Sequence, residues 1–154
     1  VVVFFLTALL VVVADQLTKL WIRTFPQGHS VFKLGFFQIV HIRNTGAAFG
    51  LFQGQSLALT IVDFVSIAII LVLVLRFSSR FPILENMVTR IALALVLGGT
   101  VGNLIDRLNP NLEGVTDFIS VSIWPSFNLA DSAVTVGAIL LAYSLIFLTR
   151  AEKS

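Results

Sequence analysis

Four separate runs of about twenty mostly apolar residues dominate the sequence: Val1 to about Ile22, Ser56 to Leu75, about Val88 to Leu108, and Leu129 to Leu148. Each is long enough to cross ~30 Å of hydrocarbon as an α-helix rising ~1.5 Å per residue. Their valine and isoleucine content is compatible with strands, but unbroken apolar runs of this length read as helices. An open sheet edge would also leave backbone groups unpaired in lipid. Composition agrees: 57% of the 154 residues are hydrophobic and only 12% are charged. A soluble domain carries about 25% charged residues, and disordered chains are poor in hydrophobic ones. The expected fold class is an all-α membrane protein with four transmembrane helices, one integral membrane domain over residues 1–154. Residues 23–55 are expected to form a segment outside the bilayer.

Several function classes fall away. The chain has no cysteine, which removes disulfides, thiol nucleophiles and cysteine metal ligands. His29 and His41 stand in no ligand-like spacing, so no metal and no cofactor are expected. The formal net charge is +2 with no lysine or arginine run, which argues against nucleic acid as a partner. A cleavable signal peptide is the rival to the first span, with Ala14 a small residue where a peptidase could cut. The periodic pattern continues past Ala14, so a membrane helix already under way at Val1 is expected. Four spans put both ends of the chain on one side. The positive-inside rule does not orient them, because Arg76, Arg80, Arg90, Arg150 and Lys153 balance Lys19, Arg23, Lys33, Arg43 and Arg107. Some of the second group are functional candidates, which favours cytoplasmic termini.

Lys33 to Arg43 alternates in places, with Gln38, Val40 and Ile42 against Ile39, His41 and Arg43, as a strand does. Val115 to Ile123 alternates more clearly, with Ile119, Val121 and Ile123 against Ser120 and Ser122. Both segments fall on the same side of the membrane. A small interfacial β-sheet is therefore expected, between helices 1 and 2 and before helix 4. Trp21 and Trp124 lie near the span ends on that side, as interface anchors do.

Charges inside the spans are the informative residues, since one near mid-bilayer costs roughly 2.5–3.5 kcal/mol on insertion scales. Asp15 and Lys19 are four apart, acid first, the favourable order for a helical ion pair. Such a pair either orients its helix or belongs to a site. In the third run Gly98, Gly102, Asp106, Gly99, Asn103 and Arg107 fall in that order across about half the helix circumference. Gly98 and Gly102 admit a neighbouring backbone closely, whereas packing does not require Asn103, Asp106 and Arg107. The segment from Trp124 to Asp131 opens the fourth helix, with Asn128 as N-cap and Asp131 at the third helical position. A stripe of Asp131, Thr135, Ala138 and Ala142 is expected to turn Asp131 towards neighbouring helices. Asp117 heads the second strand and gains meaning only if the fold brings it to Asp131. Asp63 belongs to no motif; it either pairs with a basic group or lies near enough to the interface to be hydrated.

These segments together resemble the lipoprotein signal peptidases, or signal peptidase II, over nearly the whole chain. The resemblance rests on Asp15-Gln16-x-Thr18-Lys19, on Asn44-Thr45-Gly46-Ala47-Ala48-Phe49, and on the Gly-Gly-x-x-Gly-Asn-x-x-Asp-Arg run ending at Arg107. It continues in Val115-x-Asp117-Phe118 and Phe127-Asn128-x-Ala130-Asp131. Any one element is weak, but all of them in family order on a four-span chain are specific. The resemblance implies a multi-pass peptidase of the bacterial inner membrane, with cytoplasmic termini, a small extracytoplasmic sheet and its active site near that face. It implies cleavage of diacylglyceryl-modified prolipoproteins before the lipidated cysteine, in contact with membrane lipid; a monomer is expected. Asp117 and Asp131 match the family's catalytic pair. Asp15, Lys19, Asn44, Gly46, Asn103, Asp106, Arg107 and Asn128 match positions that shape or support the site.

Hydrolysis without serine–histidine, cysteine or metal leaves carboxylates and water. Two close aspartates do not both ionise readily, so one keeps a proton while the other acts as base. The helix N-terminus favours negative charge at Asp131, which leaves Asp117 as the expected proton holder. Asn128 is expected to cap its helix and orient a carboxylate. Lys19 and Arg107 are too basic to serve as acids near neutral pH, so they are expected to partner Asp15 and Asp106 or substrate carbonyls. The substrate's acyl chains are expected between helices. A small transporter or proton-conducting protein is the alternative, since it too would keep Asp15, Asp63 and Arg107 in the membrane. It would need polar groups through the full depth of the bilayer.

Overall fold

The computed structural model describes residues 1–46 and 54–148; Ala47, Ala48 and Phe49 of the Asn44 element, and Arg150 and Lys153, lie outside the described residues. Four helices are long and apolar enough to cross a membrane. They are α1 (Val2–Ile22), α2 (Ser56–Arg76), α3 (Met87–Leu108) and α4 (Leu129–Tyr143), the last prolonged by a π-helical turn over Ser144–Leu148. Strands β1 (Ser30–Leu34) and β2 (Phe37–Asn44) lie between α1 and α2, and β3 (Val115–Val121) and β4 (Trp124–Phe127) lie between α3 and α4.

α3 is the hub, buried along most of its length and touching each of the other three helices. Its glycine-bearing arc explains how. A Cβ on Gly98 would lie 2.7 Å from the Ala8 carbonyl oxygen of α1, and one on Gly99 would collide with the Ala130 carbonyl oxygen of α4. Between helices in lipid there is little hydrophobic driving force, so close backbone approach of this kind is what packing can use. At the end away from the sheet, Phe4 and Ala8 of α1, Ile70 and Val74 of α2, and Leu93, Ala94 and Leu97 of α3 form an apolar cluster. Large side chains elsewhere on α1 and α2, such as Leu9, Leu17, Leu57 and Phe64, are exposed where lipid would cover them.

The stripe expected to carry the packing of α4 does not. Thr135, Ala138 and Ala142 are exposed, and α4 buries Ala130, Ala133 and Gly137 instead. Asp131 is buried by its place in the first turn, beside Ala130, and not by that stripe.

The sheet is antiparallel in the order β1-β2-β3-β4. The single strand expected from Lys33 to Arg43 is a hairpin. It turns through Gly35 and Phe36, with Gly35 at φ +56, the left-handed value that a two-residue turn needs at its first position. Alternation then fails within β2, where Val40 and His41 are buried side by side next to a register shift between Ile39 and Ile42. In β3 the first four residues, Val115 to Phe118, are all buried. β3 is an inner strand whose start lies against the ends of α1 and α3, so both of its faces are covered. The residues Trp124 to Phe127, given no strand from the sequence, form β4, and the helix starts at Leu129 behind its Asn128 cap as expected.

Among the described residues, the buried charges of the spans gather at one end of the bundle. Asp15, Lys19, Asp106 and Asp131 lie towards the C-termini of α1 and α3 and the N-terminus of α4. A conducting path through the bilayer would spread such groups along its depth.

Candidate active site

The site grows from the start of α4. Asn128 caps the helix: its Oδ1 accepts the Asp131 backbone N–H at 2.8 Å, while Asp131 Oδ2 accepts the Asn128 backbone N–H at 3.3 Å. This reciprocal box satisfies two backbone donors that a helix start leaves open. It also leaves the amide nitrogen of Asn128 facing away from the helix. That Nδ2 donates to Asp117 Oδ1 at 2.8 Å, to Asn103 Oδ1 at 3.0 Å and to the Thr116 carbonyl at 3.3 Å. One side chain therefore touches both candidate aspartates, which are fourteen residues apart along the chain.

Each carboxylate has a second amide donor. Asn44, at the end of β2, donates to Asp117 Oδ2 at 2.9 Å, and the Gly46 N–H fixes the amide by donating to Asn44 Oδ1 at 2.9 Å. Asn103 of α3 donates to Asp131 Oδ1 at 2.8 Å, with its own oxygen taken by Lys19 Nζ at 2.9 Å and by Asn128.

The other two acids are fasteners. Asp15 pairs with Lys19 at 2.7 Å, and its Oδ1 accepts the Ala130 N–H at 3.0 Å, tying α1 to the first turn of α4. Asp106 accepts Arg23 Nη2 at 2.6 Å and the Thr116 N–H at 2.9 Å, tying β3 to α3, with Lys19 Nζ 3.7 Å away. Lys19 and Arg23 thus answer the charges of Asp15 and Asp106. Asp117 and Asp131 form no ion pair among the described residues. Burial first, and then the neighbouring Asp131 carboxylate, push the Asp117 carboxyl up from 3.8 to about 7, against the hydrogen bonds from Asn44 and Asn128.

Arg107 departs from expectation. It reaches neither Asp15 nor Asp106 but pairs through Nη1 with Asp63 Oδ2 of α2 at 2.5 Å. Residues of α2, α3 and α4 enclose a cleft of about 560 Å³, and Asp131, Asn103, Arg107 and Asp63 all line it. Thr135 and Ala138 line it too, so the small residues of α4 make room rather than contact. Arg23 was not singled out for the site, although it extends the Asp15–Lys19 face by one more step of four. Its Nε also donates to Thr116 Oγ1 at 2.9 Å. Gln16 Nε2 adds a 3.0 Å bond to the Gly102 carbonyl. Among the described residues, no group of three or more His, Asp or Glu side chains is arranged to hold a metal ion.

The family model described as Signal peptidase (SPase) II matches residues 7–147. A lipoprotein signal peptidase of Dehalococcoides mccartyi is 44% identical over 149 residues, covering 92% of this chain and 88% of its own. One of Moorella thermoacetica is 40% identical over 145 residues, covering 93% and 92%. A solved bacterial membrane enzyme, determined by the in meso method at 2.3 Å resolution, has a TM-score of 0.83 at 31% identity, covering 95% of this chain and 88% of that one. Agreement of this extent in both sequence and fold is decisive: the chain belongs to the signal peptidase II family of membrane peptidases.

Proposed function

We propose that this protein removes signal peptides from lipoproteins, cutting diacylglyceryl-modified prolipoproteins before the lipidated cysteine, with Asp117 and Asp131 as the catalytic pair. Membership of the signal peptidase II family supports the substrate class. The observation that carries the catalytic pair is the double contact of Asn128, which donates to Asp117 at 2.8 Å and accepts from the Asp131 backbone at 2.8 Å. Asn128 thus bonds both carboxylates, Asp117 through its side-chain amide and Asp131 through its backbone N–H. Two buried acids held this way, without a counter-ion among the described residues, are suited to share one proton.

In the resting state Asp117 holds that proton, as its elevated pKa favours, and Asp131 is the anion, at the positive end of α4. Asp131 takes a proton from water as the water oxygen bonds to the scissile carbonyl carbon. Asp117 gives its proton to the carbonyl oxygen, so the tetrahedral intermediate is neutral. On collapse the C–N bond breaks, Asp131 passes its proton to the leaving nitrogen, and Asp117 recovers one from the gem-diol. The pair ends as it began and titrates as a unit. Asn44, with Gly46 behind it, orients Asp117; Asn103, with Lys19 behind it, orients Asp131. Asp15 and Asp106 hold the elements that carry them.

The protein works as a single integral membrane domain and a monomer in the bacterial cell membrane, termini cytoplasmic, with the sheet and site near the extracytoplasmic face, where water arrives from one side. Incubation with a lipid-modified precursor and with its unlipidated counterpart tests this reading. Cleavage of the first alone is expected; cleavage of neither, or of both equally, would overturn it.

A further inference from the structure

Asp63 is an acid of the spans that neither the catalytic pair nor its fasteners employ. It sits seven residues past the start of α2, and its only ion pair among the described residues is the 2.5 Å contact with Arg107, with the two side chains 13% and 7% exposed. In hydrocarbon such a pair is hard to separate, because either partner left alone is an unpaired charge in a low dielectric. The pair joins α2 to α3 where packing joins them poorly. The buried residues of α2, Ile70 and Val74, lie in the half away from the site. Around Asp63, by contrast, Leu57, Ile61, Val62 and Val65 are each more than half exposed. The same two side chains line the cleft that Asn103 and Asp131 also line.

We propose that Asp63 is a positioning residue that, through Arg107, latches the site end of α2 against α3 and so sets the width of the cleft beside Asp131. This deepens the peptidase reading and rests on it for the occupant, the apolar chains of the lipidated precursor. Among the described residues Asp63 makes no hydrogen bond or ion pair to Asp117 or Asp131, and its bonded partner is Arg107. A loosened latch weakens substrate and transition state alike, which raises KM and spares kcat.

The chain has no cysteine, so spin labels can be placed cleanly at Ile61→Cys on α2 and Ile139→Cys on α4, both exposed. In Asp63→Asn the distance distribution between them is expected to lengthen and broaden. KM for the lipidated precursor should rise about tenfold, with kcat within about twofold of the parent. Asp63→Glu, which keeps the charge, should bring both readouts back. Should Asp63→Asn fail to fold, Asp63→Ser, neutral and smaller, is expected to give the same lengthened distances and raised KM. An unchanged distance distribution in the neutral variants, or a fall in kcat at constant KM, would overturn the latch. The distance arm needs no substrate. A wild-type protein that left the precursor uncut would therefore refute the peptidase reading, while a widened cleft in Asp63→Asn would still uphold the latch.

Discussion

At the end of the bundle away from the sheet, Phe4, Ala8, Ile70, Val74, Leu93, Ala94 and Leu97 meet as apolar surfaces, whereas at the site end Asp15, Lys19, Arg23, Asn103, Asp106 and Asn128 meet through directed polar bonds. Lipid tails are as apolar as the first group, so that end is held by fit rather than by escape from water. The second group could not stand unpaired in hydrocarbon, so each charge has a partner at a fixed distance. The difference separates acids that hold the fold from the two acids proposed to react. Asp15 and Asp106 have counter-ions and secure α4 and β3. Among the described residues Asp117 and Asp131 have amide donors and no counter-ion, the setting in which one of a close pair keeps its proton.

Substitutions at the two kinds of acid should break this comparison in opposite ways. Asp117→Asn or Asp131→Asn, near-isosteric, should lower cleavage of a lipidated precursor by about 10³-fold or more while helicity and the thermal midpoint in detergent stay near wild type. Asp106→Asn removes the counter-ion of half-buried Arg23 and a neighbouring charge of buried Lys19, and should cost about 3–5 kcal/mol of stability, read as a lowered midpoint. At the other end, Phe4→Ala should cost about 2–4 kcal/mol through the void it leaves, with the activity of the folded fraction retained. Asn44→Ala should have the smallest effect, less than about tenfold on kcat/KM at neutral pH. Its signature is a direction. Asn44 donates to the Asp117 carboxylate and so favours its ionised form; without it, the alkaline limb of the pH profile moves to higher pH.

The elevated pKa of Asp117 also has a sign for stability. The unfolded carboxyl ionises near 3.8 and the folded one near about 7, so between these values the unfolded state releases its proton first. The contribution of Asp117 to stability therefore declines as pH rises through that window. A buried carboxyl held at odds with its ionised form costs the fold something, and Phe4 and its neighbours at the far end help to offset it.

Local interactions were legible in the sequence and relations between helices were not. The Asn128–Asp131 box and the Asp15–Lys19 pair involve residues three and four apart, so their geometry follows from helix formation alone. The partners of Arg107 and Arg23 depend on how α2 and α1 are rotated against α3, which no periodicity states. Arg23 was still within reach, because it continues the face of Asp15 and Lys19. In the hairpin, Gly35 is the lone turn signal between Leu34 and Phe36, too slight to split an apolar stretch. Thr135 and Ala138 are small for a reason that pattern cannot distinguish from packing: they border the cleft.

The central claim is that Asp117 and Asp131 sense one another's charge. Infrared titration of the protonated carboxyl band tests it most directly, in the wild type and in the two single Asp→Asn variants. The wild type should show a carboxyl that ionises near about 7. The component that ionises at about 7 should be lost in Asp117→Asn, and its midpoint should fall in Asp131→Asn, where the neighbouring negative charge is gone. A midpoint that stays put in Asp131→Asn, or a component at about 7 that survives unchanged in Asp117→Asn, would contradict a shared proton at this site.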